Sequence, residues 1–127
     1  MSRNPARHLD KAAESIRAFN HTSRTVVKDW QYPGDSYSAL GNLSYLAGML
    51  EQAIEQSIVP ATHAHKEGRL RIDGGGDPDA KIDELIAARN DATRAAEALT
   101  AAIQRMHNAT GPMGMDIAGM PDDEDDD

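Results

Sequence analysis

From Asp79 to Thr110 the chain runs without a Gly or Pro, bracketed by Asp77-Pro78 before it and Gly111-Pro112 after it. At about 100° per residue, Ile82, Leu85, Ile86, Ala92, Ala96, Leu99, Ile103 and Met106 fall on one side of a helix. Asp77 suits the N-cap and Pro78 the first helical position, where a missing N–H costs nothing. Asp79, Asp83 and Glu84 complement the positive end of the helix dipole, and Arg105 and His107 the negative end. The spacing predicts a helix over about 78–108, and Ala residues in its stripe let a neighbouring helix approach closely.

Two further helices are predicted, over 5–30 and 36–59. In the first, Asn4 caps, Pro5 opens, and Leu9, Ala12, Ala13, Ile16, Phe19, Val26, Val27 and Trp30 share a face. The cluster Thr22, Thr25, Val26 and Val27 lowers helix propensity and argues for an end near His21. The apolar phase nevertheless continues to Trp30, which favours the longer helix. A turn over Gln31–Asp35 follows, with Asp35 or Ser36 capping the second helix. There Leu40, Leu43, Leu46, Ala47, Leu50, Ala53, Ile54 and Ile58 span an arc of roughly 140°, wider than a two-stranded seam. Pro60 ends or kinks it. Residues 61–76 are the least regular part, with a short extended segment at 69–73 and a hinge at Gly74-Gly75-Gly76.

The fold class is therefore all-α: a three-helix bundle or elongated helical hairpin over 1–110, with a disordered Met-rich and acidic tail over 111–127. Aromatics are only 4% of the 127 residues, so three stripes of small apolar side chains offer a marginal core. Self-association through exposed ends of the stripes, in a coiled-coil or bundle manner, is the natural remedy. The interface candidates are Arg89, Ala92, Ala96, Leu99, Ile103 and Met106. Arg89 stands inside the apolar stripe, so it snorkels or pairs with Glu51, Glu55 or Asp10. Gly41 and Gly48 align on the second helix and either admit a close partner or simply cost helix stability; the second reading is favoured.

Charge is unevenly placed. The net charge is −8, yet residues 1–115 carry 13 Lys/Arg against 14 Asp/Glu, so the acids are concentrated at the C-terminus. Residues 1–30 carry six basic and three acidic side chains. Arg17, Arg24 and Lys28 on the first helix are the candidate polyanion contacts, and the acidic tail is a latch, a partner motif or a solubiliser. Met113, Met115, Ile117 and Met120 form an apolar motif just ahead of the terminal acids; Met adapts well to binding surfaces.

Chemistry is thinly represented. There is no Cys, which removes thiol catalysis and Cys-ligated zinc. His63 and His65, with Asp73 or Asp77, make at most a weak metal set. Gly74-Gly75-Gly76-Asp77 lacks the Lys-Ser/Thr of a phosphate loop. No Ser sits in a glycine elbow. No enzyme activity, cofactor or metal is expected. No apolar run reaches the ~18–20 residues of a membrane span, so a cytoplasmic protein without membrane contact is expected.

The stretches Ile16-Arg-Ala-Phe-Asn-His21-Thr and Tyr37-Ser-Ala-Leu-Gly-Asn-Leu-Ser-Tyr-Leu-Ala-Gly-Met-Leu-Glu-Gln-Ala-Ile-Glu-Gln56 resemble small helical proteins of actinobacterial plasmids, integrative elements and phages. About a fifth of the chain carries the resemblance. That group has no assigned activity and transfers no functional residue; the resemblance implies an accessory or regulatory protein rather than a metabolic one. The expected function is a non-enzymatic helical interaction or assembly subunit, binding itself or an unidentified protein partner. The alternative is a nucleic-acid-associated regulator using the basic face of the first helix.

Overall fold

The computed structural model describes residues 4–119. It contains α1 (Ala6–Thr22), α2 (Pro33–Ser57), α3 (Val59–Lys66) and α4 (Pro78–Thr110). Among the described residues there is no strand; Val27 and Trp30 form an isolated antiparallel bridge. The chain is all-α, in the hairpin form of that class. α2 and α4 pack along each other, α3 makes smaller contacts with both, and α1 packs on none of the other helices.

Capping follows the sequence closely. Asn4 Oδ1 accepts the Ala6 N–H at 2.9 Å, and Asp77 Oδ1 accepts the Asp79 N–H at 3.0 Å. α2 begins at Pro33 rather than 36, so Asp35 sits inside its first turn. Its carboxylate reaches back to the N–H groups of Gln31 and Tyr32, each at 3.0 Å. Those bonds hold the Asp35 carboxyl below its ordinary value, the Tyr32 bond contributing most.

Three further features differ from expectation. The first helix stops at Thr22, not Trp30. The Thr22 hydroxyl folds back on the Ala18 carbonyl at 2.9 Å, and the β-branched residues beyond it leave the helix. Trp30 then buries part of its ring by returning: its indole N–H donates to the Ser23 carbonyl at 3.0 Å, and its ring meets Phe19 edge-on at 5.7 Å. The second difference is α3, which occupies part of the segment expected to be irregular. Pro60 lies in the first turn of α3, where no N–H partner is needed, so it opens a helix as well as following one. The third is 69–73, where no strand forms. Gly74 and Gly75 both take φ 86° there, a left-handed backbone that glycine adopts without a Cβ penalty.

The buried apolar set is small among the described residues: Ala47, Ile82, Ala96 and Ile103. The chain exposes 10077 Å², whereas a compact monomer of 13.7 kDa would expose roughly 6,600 Å².

Candidate functional site

Seven-residue spacing organises α4. Ile82, Arg89, Ala96 and Ile103 form the seam against α2. Ile86, Thr93, Thr100 and His107 lie to one side of that seam, and Leu85, Ala92, Leu99 and Met106 to the other. On α2 the seam runs through Leu40, Ala47 and Ile54. Glu51 and Ser44 flank it on one side, and Leu43, Leu46 and Leu50 on the other. Tyr37 packs on His107 with ring centroids 4.2 Å apart, and the Glu51 carboxyl lies beside that of Glu97, so the two helices are antiparallel. Like flanks therefore meet.

The first flank is polar. The Thr93 and Thr100 hydroxyls are satisfied by the Arg89 and Ala96 carbonyls, at 2.9 and 3.0 Å. Glu51 and Glu97 share a hydrogen bond, which raises the Glu51 pKa; partial burial and the charges of Glu97 and Glu55 push the same way. A shallow groove of about 500 Å³ is lined by Gly48, Glu51, Gln52, Glu55 and Gln56. All five belong to α2, so it is the outer surface of one helix rather than a pocket between elements.

The second flank is apolar and open. Leu43 is 39% exposed, Leu99 47% and Met106 54%, while Leu46, Leu50, Leu85 and Ala92 are half-buried. Ala88, Ala95 and Ala102 extend it along α4. Two packed helices thus present one continuous apolar strip that no other described element covers.

The interface candidates divide accordingly. Ala96 and Ile103 are consumed by the intrachain seam. Ala92, Leu99 and Met106 lie on the open flank. Arg89 is half-buried and donates from Nε to Asn90 Oδ1 at 2.9 Å rather than pairing with Glu51, Glu55 or Asp10. Of the polyanion candidates, only Arg17 is on α1. Arg24 and Lys28 follow the helix end, and Arg24 Nε bonds the His21 carbonyl at 3.3 Å, so the expected basic helix face is not continuous. Met113, Met115 and Ile117 are exposed after α4; Met120 and the acidic tail lie outside the described residues. His65 Nε2 lies 2.7 Å from Asp79 Oδ1, tying α3 to the first turn of α4. This replaces the expected set with Asp73 or Asp77; His63, two positions away, lies on a different side of α3 and is exposed. Among the described residues no three His, Cys, Asp or Glu side chains are placed to share a metal, and no described helix is long and apolar enough to cross a membrane.

Sequence reading assigned Leu43, Leu46 and Leu50 to the core. The signal that they do more was the width of the α2 arc, which exceeds what one partner helix can cover. The chain matches no family model, no curated protein and no solved structure.

Proposed function

We propose that this chain is a non-enzymatic helical subunit whose work is protein–protein association, carried by the apolar flank of the α2–α4 hairpin. The observation behind it is the uncovered strip made by Leu43, Leu46 and Leu50 on α2 and Ala92, Leu99 and Met106 on α4. Contiguous exposed apolar surface of this kind marks interaction sites in soluble proteins. A standard interface takes only about 800 Å² from each partner, well within the area this chain exposes beyond a compact monomer. The Met113–Ile117 segment adds adaptable apolar contacts just beyond α4. An accessory role on a mobile element agrees with the resemblance carried by the α2 sequence.

The test uses Leu99→Asp. Leu99 is 47% exposed, so the hairpin alone tolerates the carboxylate, whereas an interface would bury it unpaired. The variant should keep its helical circular dichroism and sediment more slowly than the wild type. Equal sedimentation of the two proteins would remove the flank from the interface.

A further inference from the structure

The uncovered flank of the hairpin has a counterpart within the same chain. α1 carries Leu9, Ala12, Ala13, Ile16 and Phe19 in one arc, none of its residues is buried, and it rests on no other helix. Leu9 is 56% exposed and Phe19 45%. Two apolar surfaces of one polypeptide, each lacking a partner, are the ingredients of a third bundle helix laid on a hairpin.

The connection holds them apart. Residues 23–32 are braced at both ends. On the α1 side, Trp30 bonds the Ser23 carbonyl at 3.0 Å and packs edge-on against Phe19. On the α2 side, the Asp35 carboxylate fixes the N–H groups of Gln31 and Tyr32. In this arrangement α1 stands off its own hairpin, one anchor fastening the loop to α1 and the other fastening it to α2.

We propose that α1 of a second copy covers the apolar flank, reciprocally, in a closed dimer; this rests on the association reading above and names the occupant. The dimensions fit. The 17 residues of α1 span about 25 Å, and the flank from Ala92 to Met106 spans about 21 Å at 1.5 Å per residue. Leu9 and Ile16 are seven residues apart, as are Leu99 and Met106, so both surfaces repeat on the same period. Ala12 and Ala13 face a flank that carries Ala92, Ala95 and Ala102, and small residues on both sides let the axes come to contact distance. Mutual exchange is isologous and self-limiting, because each copy gives one helix and receives one. The flank of either copy is incomplete without the other's α1.

The absence of cysteine makes the test clean. Chains carrying Leu9→Cys or Ile16→Cys are refolded together with chains carrying Leu99→Cys or Met106→Cys, then treated with a short bis-maleimide. A covalent heterodimer in at least one of the four pairings is expected, with single-variant samples remaining uncoupled. Two pairs keep the test valid if one variant loses its helical dichroism. Efficient coupling of Leu99→Cys chains to each other would place hairpin against hairpin; this overturns α1 exchange and leaves association standing. Coupling within one chain of an Ile16→Cys/Leu99→Cys double variant, with no covalent dimer, would show α1 closing on its own hairpin and overturns the second copy. No coupling in a sample that sediments as a dimer overturns the exchange alone; no coupling in a monomeric sample removes the association reading as well.

Discussion

Gly41 and Gly48 stand on the same side of α2, but only Gly41 has a neighbour where a Cβ would go. His107 Nε2 lies 3.2 Å from that position, and nothing lies within 4 Å of the one at Gly48. Gly48→Ala should therefore gain roughly the 1 kcal/mol that separates the two residues in helix propensity. Gly41→Ala should gain less or lose stability, because His107 must shift against Tyr37; urea midpoints of the two variants check the difference. The spacing of the glycines is legible in the sequence, but their inequality is not: it depends on the register of α2 against α4, which no local pattern encodes. Glu51 raises a similar point. Its carboxyl titrates above the ordinary 4.5 because it shares a hydrogen bond with Glu97. The folded state thus binds that proton more tightly than the unfolded chain, so ionisation costs stability at neutral pH and the cost disappears below 4.5. Glu97→Gln should melt above the wild type at pH 7, with the gap closing as pH falls towards 4.5.

Among the elements, caps and stops were readable and the connections were not. Asn4, Asp77 and the Gly111-Pro112 stop acted as local chemistry dictates. The end of α1 did not follow its apolar phase, because Trp30 found its partners by folding back on Phe19 and Ser23. That contact lies seven or more residues away in sequence and competes directly with helix extension. Pro60 is expected to end or kink the second helix, which does end at Ser57; that it also opens α3 from its first turn is the part the sequence does not show. Asp35 has the opposite linkage sign to Glu51. Its carboxyl is held below 3.8 by backbone N–H groups, so its contribution is complete above that pH and lost as pH falls through the lowered value. Asp35→Asn should lower the melting temperature at pH 7 and lose less on further acidification below 3.8 than the wild type does. Trp30→Ala should speed hydrogen exchange over 23–31 and leave the central turns of α2 and α4 unchanged, since the Trp30 contacts are confined to α1 and its loop.

For the whole molecule, the sequence announced helices, a thin core and a need for further burial. It could not say which side of each stripe the chain itself would use. Ala47, Ala96 and Ile103 went into the hairpin; Leu43, Leu99 and Met106 were left outside it, because two helices can cover only one arc of each other. α1 keeps an apolar arc that no other helix covers, with Phe19 met by Trp30 of the following loop. A 13.7 kDa chain exposing 10077 Å² lacks the burial expected of a compact monomer, and the association proposed above would restore it at the exposed strip. Sedimentation equilibrium of the wild-type protein across a wide concentration range, near neutral pH and moderate salt, addresses this most directly. The account predicts a mass of twice 13.7 kDa at the upper end, falling towards a single chain on dilution. A mass that stays at one chain throughout the range would contradict it.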